Sequence, residues 1–271
     1  MKNGLNNNPI GIFDSGFGGL TVLRELIKIL PSENIIYFGD TARVPYGTKS
    51  KNAVKKFSQQ ITEFLVKHNV KLILVACNTA SAVALSDIKK IAKDIQVVGV
   101  IKSGARAAVS LTTNKKIGVI GTSATIKSRS YQNTIKMLDK KIKVIQKPCP
   151  LFVPLVEEGW IDCKITQDIV KIYLQPLKKA NCDVIVLGCT HYPLLKNVIQ
   201  KIVGKNIKLI DSAKEVSKDI KKILEDLHLI RTAKSHGHLK FYVSDARDRF
   251  SKFGKMFLGR AVSDIEKVDI E

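Results

Sequence analysis

The stretch Leu72-Ile73-Leu74-Val75-Ala76-Cys77-Asn78-Thr79 decides the fold class. Its short apolar run reads as a strand buried on both faces, and the small residue, cysteine and polar pair that follow read as a strand end turning into a helix. The pattern returns 112 residues on, at Val184-Ile185-Val186-Leu187-Gly188-Cys189-Thr190-His191. A second pair of segments, Gly11-Ile12-Phe13-Asp14-Ser15 and Gly118-Val119-Ile120-Gly121-Thr122, is offset by 107 residues. Two similar offsets in the same order predict duplicated α/β halves facing each other.

Outward from these segments, strands are expected at 9–13, 34–38, 71–76, 96–100, 116–120, 142–146, 183–187, 208–210 and 239–243. Helices are expected at 20–30, where Pro31 stops the first, at 51–68, 78–92, from 124, and at 162–180, with lysine-rich last helices solvated on one face. This alternation is the pattern of a parallel α/β sheet.

The 271 residues are 45% hydrophobic and 25% charged, which suits a globular chain with a core large enough to need no disulfide or metal. Disordered, collagen-like and low-complexity classes are excluded. No apolar run is long enough to span a bilayer. Residues 1–10 carry no apolar core of a secretion signal, so a cytoplasmic protein is expected. The formal net charge of +21 favours anionic partners in general. Its carriers, however, are 37 lysines against 8 arginines, spread along the chain. Arginine is the better reader of bases and phosphates, so compositional bias is preferred over dedicated nucleic-acid binding.

The five cysteines, at 77, 149, 163, 182 and 189, form no C-x-x-C pair. Reduced thiols are expected, and no zinc site. Cys149, Cys163 and Cys182 read as small buried hydrophobes. Cys77 and Cys189 fall at strand ends, where ligands of open α/β sheets bind. Each is followed by an apparent helix N-terminus, with Asn78, Thr79 or Thr190 as candidate caps, and such a position lowers a thiol pKa. Asp14 and Ser15 open a glycine-rich turn over Gly16, Gly18 and Gly19; an anion site and an ordinary turn capped by Asp14 are both open readings. The loop from Phe38 to Gly47 offers the Tyr46 hydroxyl, or merely an Asp40–Arg43 pair. His191 could tune a thiol or move a proton. Two symmetric thiols suit removal of a proton from one face of a carbon and its return on the other.

These segments, with Tyr37 to Gly47, Val156-Glu157-Glu158-Gly159, Tyr192-Pro193 and Ile210-Asp211-Ser212-Ala213, closely resemble the glutamate racemases of the cofactor-independent aspartate/glutamate racemase superfamily. The resemblance runs from residue 9 to about 213. It implies two similar parallel-sheet α/β domains related by pseudo-symmetry, 1–98 plus 211–271 and 99–210, with the active site in the cleft between them. It implies a two-base interconversion of L- and D-glutamate without cofactor or metal, in which Cys77 takes the α-proton of D-glutamate and Cys189 that of L-glutamate. Asp14, His191 and Glu157 would assist. Substrate contacts carry over to Asp14, Ser15, Tyr46, Gly47, Asn78, Thr79, Thr190 and His191, with Thr122 as a further contact. A bacterial cytoplasm, D-glutamate supply for peptidoglycan and a homodimer are also implied. Two departures stand out: Lys102-Ser103-Gly104, where a proline is expected before the glycine and only a local turn should change, and the bulky Phe17 in the glycine-rich loop. Rival readings are an aspartate racemase, a single-thiol hydrolase or lyase, and a basic nucleic-acid binder.

Overall fold

A computed structural model describes residues 5–270. In chain order the elements are β1 (Ile10–Asp14), α1 (Leu20–Ile29), β2 (Ile35–Gly39), α2 (Lys51–Lys67), β3 (Leu72–Val75), α3 (Asn78–Val83), α4 (Leu85–Ala92), β4 (Gln96–Gly99), α5 (Val100–Leu111), β5 (Lys116–Gly121), α6 (Ser123–Lys127), α7 (Ser130–Leu138), β6 (Lys143–Pro148), α8 (Phe152–Glu157), α9 (Lys164–Lys179), β7 (Val184–Gly188), α10 (Lys196–Val203), β8 (Lys208–Asp211), α11 (Ser212–Asp226), β9 (Leu239–Val243), α12 (Arg247–Leu258) and β10 (Ile265–Lys267).

The strands form two sheets, ordered β10-β9-β2-β1-β3-β4 and β6-β5-β7-β8, and every pairing is parallel. The run β2-β1-β3-β4 and the run β6-β5-β7-β8 have the same internal order. This is the duplication that the two sequence offsets announce. In each run the connections reverse direction beside the first strand, so each sheet has a switch point where strand ends leave a crevice.

Alternation along the strands divides the core. Ile10, Ile12, Leu72 and Leu74 join Ile185 and Leu187 of the second sheet in one large cluster, so the two sheets share a core. Phe13, Ile73 and Val75 face a second cluster under α2 and α4. Ile117, Val119, Val184 and Val186 face a third, under α5 and α7. Full burial on both faces is why these strands read as unbroken apolar runs.

Two elements differ from the sequence reading. The expected helix 78–92 is two helices, broken at Ala84, whose φ of −120° leaves the helical region. Lys102-Ser103-Gly104 is not a turn but part of α5, which starts directly after β4. There Gly104 carries a packing constraint, because a Cβ would stand 2.3 Å from Ser212 Oγ. The last long helix, α12, is solvated on one face as expected, with Phe250, Phe253, Phe257 and Leu258 buried on the other.

Candidate active site

Strand ends of both sheets meet around one small cavity of 20 Å³, lined by Ser15, Pro45, Tyr46, Gly47, Cys77, Asn78, Thr79, Thr122, Val153, Cys189, Thr190 and His191. Ser15 follows β1, Cys77 follows β3, Thr122 follows β5 and Cys189 follows β7. Cys77 and Cys189 are therefore equivalent positions of the two runs, one from each sheet. Of the residues singled out from the sequence, Asp14 and Glu157 stand behind this lining rather than in it.

Asp14 is fully buried at the end of β1. Its Oδ2 accepts the Gly16 N–H at 3.1 Å, and its Oδ1 accepts from the Thr190 hydroxyl of the other sheet at 3.4 Å. Burial pushes its pKa up, against the opposing pull of His191 and the Gly19 and Gly16 N–H groups. The glycine-rich loop is held by the Tyr37 hydroxyl, which donates to the Gly16 carbonyl at 3.0 Å. The Thr21 hydroxyl donates into the gap between the Gly18 and Thr190 carbonyl oxygens, at 2.8 and 3.0 Å. Gly18 is forced to be glycine: a Cβ would lie 2.2 Å from Thr190 Oγ1 and 2.5 Å from His191 Nδ1.

The two thiols do not behave as a helix N-terminus alone would make them. Cys77 is itself the N-cap of α3, its sulfur accepting the Ala80 N–H at 3.5 Å, so Asn78 and Thr79 are not the caps. Burial nevertheless raises its pKa to about 12, helped by the charge of Asp14. Cys189 is followed by a tight turn and a 3-10 segment, Tyr192–Leu195, before α10 begins, and Thr190 caps nothing. Burial raises its pKa well above the thiol range, with the His191 N–H opposing. The expected lowering at a helix end is thus overturned. Desolvation of the charged form outweighs the few N–H groups that the short α3 and the turn supply.

His191 Nδ1 lies 3.9 Å from the Cys189 sulfur, and its Nε2 pairs with Glu157 Oε1 at 3.1 Å. The other Glu157 oxygen meets Arg249 Nη2 at 3.2 Å. The Asn78 amide oxygen accepts from the Tyr131 hydroxyl at 2.7 Å, and Tyr131 is also 3.0 Å from Ser212 Oγ. Thr79, Thr122 and Thr125 close a triangle of hydroxyls, with sides of 3.0, 3.0 and 3.1 Å, across the two sheets. Tyr46 donates to Asp40, which also takes a two-oxygen bond from Arg43 and one from Ser244, so the Asp40–Arg43 pair exists and the Tyr46 hydroxyl belongs to it. Gly47 abuts Thr122, whose Cβ a side chain would meet at 2.5 Å.

Cys149 and Cys182 are buried, as expected of small hydrophobes, and burial raises the pKa of both. Cys163 is not. It is half-buried at the start of α9 and its pKa is lowered by Thr166, because no apolar layer covers that turn. The sequence reading missed Val153, which closes the cavity from α8, as well as Tyr131 and Arg249. Buried Tyr131 carried no local signal. The Phe250, Phe253 and Phe257 spacing could have flagged α12 as an inward-facing helix. Among the described residues, no three His, Cys, Asp or Glu side chains gather as a metal site would need, and no helix is long and apolar enough to cross a membrane.

Two parallel sheets each deliver a thiol and a hydroxyl to one shared cavity, and the relatives of this chain are amino-acid racemases, a class of isomerase. The chain belongs to the Asp/Glu/Hydantoin racemase family, whose profile matches residues 10–218. It is 49% identical to a glutamate racemase of Geobacter metallireducens over 97% of both chains. The crystal structure of glutamate racemase from Francisella tularensis in complex with D-glutamate superposes with a TM-score of 0.93 at 42% identity, covering 98% of this chain and 99% of that one. An aspartate racemase of Picrophilus torridus matches with a TM-score of 0.57 at 17% identity, over 82% of this chain and 98% of that one, a likeness of fold alone.

Proposed function

We propose that the protein interconverts L- and D-glutamate by a two-base proton transfer between Cys77 and Cys189. The observation that carries this is the pair of thiols at equivalent strand ends lining one cavity with hydroxyl and amide groups. Glutamate rather than aspartate is supported by the full-length relatives, of which the Francisella structure holds D-glutamate. The α-proton of an amino acid is very weakly acidic, so preorganised donors must stabilise charge as it develops at the α-carbon. Ser15, Asn78, Thr79, Thr122 and Thr190 are the donors at hand for the substrate's carboxylates. Buried thiols resist ionisation, and the incoming substrate ammonium is the cation that favours the thiolate.

In the L-to-D direction the Cys189 thiolate takes the α-proton and the Cys77 thiol gives one to the opposite face; the reverse direction exchanges these roles. Each turnover leaves the two sulfurs with swapped protonation. Asp14 beside Cys77 and His191 beside Cys189 move protons to restore it. The cavity's 20 Å³ holds about one water, so the proposal includes separation of two domains, 1–98 with 211–271 and 99–210, to admit substrate. A bacterial cytoplasm, D-glutamate supply to peptidoglycan and a homodimer complete the reading.

The test is circular dichroism of L-glutamate with pure protein in heavy water, with L-aspartate in parallel. Decay of the glutamate signal to zero with α-deuterium in the product is expected. A flat glutamate trace beside a decaying aspartate trace transfers the assignment to aspartate, and two flat traces from folded, reduced protein reject it.

A further inference from the structure

Arg249 is a peculiar residue for its position. It lies in the first turn of α12, at the end of the helix dipole that disfavours a cation. α12 packs on the six-stranded sheet's layer, through Phe250 against Tyr37 and Phe241. Glu157, at the end of α8, and His191, after β7, belong to the four-stranded sheet's layer. The Arg249–Glu157 pair therefore spans the cleft, and Glu157 passes it on to His191 and so to Cys189.

The guanidinium also has a seat. It lies 5.5 Å from the Phe17 ring centroid and 5.3 Å from that of Phe253, two rings that pack tilted at 46° with centroids 4.6 Å apart. Phe17 is the bulky residue that the family resemblance does not lead one to expect in the glycine-rich loop. Further along α12, Phe257 sets its ring edge-on to His191, with centroids 5.2 Å apart. One helix thus touches both ends of the Glu157–His191 pair.

We propose that Arg249, seated on Phe17 and Phe253, is a positioning residue that clamps Glu157 from across the closed cleft and thereby aims His191 at Cys189. The inference rests on the two-thiol reading above. When the domains part, the Arg249–Glu157 contact parts with them, and closure remakes it, so the Cys189 side is fully assembled only around bound substrate. Glu157 keeps its partner His191 in either state, whereas Arg249 reaches it only in the closed form.

The experiment compares the wild-type protein with Arg249→Met and Arg249→Lys, using α-deuterated L-glutamate and α-deuterated D-glutamate as separate substrates. Methionine keeps the apolar stem over Phe17 and removes the charge. Turnover by Arg249→Met should fall about fivefold, the rate equivalent of a partly exposed ion pair, and Arg249→Lys should restore most of it. The isotope effects decide the role. If only the Cys189 step is weakened, that step limits both directions. The effect with deuterated L-glutamate then rises, and the effect with deuterated D-glutamate falls toward one. Wild-type turnover and isotope effects in Arg249→Met would overturn the proposal. So would slower turnover with both isotope effects unchanged or moving together, which marks a merely structural role. A wild-type protein that leaves glutamate optically unchanged rejects the underlying reading, before any variant is measured.

Discussion

Asp14 is a carboxylate sealed from water, and its cost is measurable. Because its pKa is raised in the folded protein, folding favours its protonated form. That contribution is fully present below the unfolded value, near 3.8, and is lost as pH rises through the folded value. Asp14→Asn removes the charge and keeps one of the two acceptor oxygens, while the Thr190 hydroxyl can turn to accept from the new amide. The variant should gain stability over wild type as pH rises above about 4 and melt higher than wild type at pH 7, while losing activity. Calorimetry at pH 3 and pH 7 checks both the sign and its pH dependence; a lower melting point at pH 7 would contradict it. Cys77→Ser should slow racemisation about a thousandfold, within the range of general acid–base catalysis. Because L- and D-glutamate have equal free energies in water, kcat/KM must fall by the same factor in both directions. At this scale the sequence was legible where a residue's chemistry announces itself: both thiols, Asp14 and His191 stand out by type and place. Their ionisation was not legible, because it depends on how completely other segments exclude water.

Strands were more legible than helices. β1, β3, β5 and β7 lie within a residue or two of their expected spans, since a strand buried on both faces leaves an unbroken apolar run. Helix 78–92 misled because its apolar pattern continues past Ala84 while the backbone does not. Two glycine loops carry the element-scale expectations. Gly18→Ala drives a methyl group into Thr190 and His191, and Gly47→Ala drives one into Thr122. Each should cost about 1–3 kcal/mol of stability, the usual range for overpacking, and raise KM for glutamate; urea melts and steady-state kinetics read the two effects. A third contact ties elements together far from the cavity. Lys71, at the start of β3, meets Glu33 at 2.5 Å with both side chains buried, and donates to the Asn6 and Leu229 carbonyls. Lys71→Met strands the Glu33 charge and should cost about 3–5 kcal/mol in urea unfolding.

For the molecule as a whole, the shared core and the closed cavity pull against each other. The large apolar cluster joins both sheets, yet glutamate cannot enter 20 Å³. The proposed domain opening would then pivot about the shared core rather than break it. Amide exchange at 46–49 and 189–192 should slow when glutamate is added, while exchange in β1 and β7 stays slow throughout. Equal protection with and without ligand would deny the motion. The basic composition has no such correlate in the cavity lining, which contains no lysine or arginine. The hydroxyl triangle of Thr79, Thr122 and Thr125 has a further consequence. Each corner can give or receive a hydrogen, so the ring has two opposite senses of circulation with identical heavy-atom positions. Reversing it costs three bond rotations and no displacement. A carboxylate that takes a hydrogen from Thr79 or Thr122 opens the ring, and the remaining hydroxyls re-orient by rotation alone, so the pocket yields a donor without moving a heavy atom.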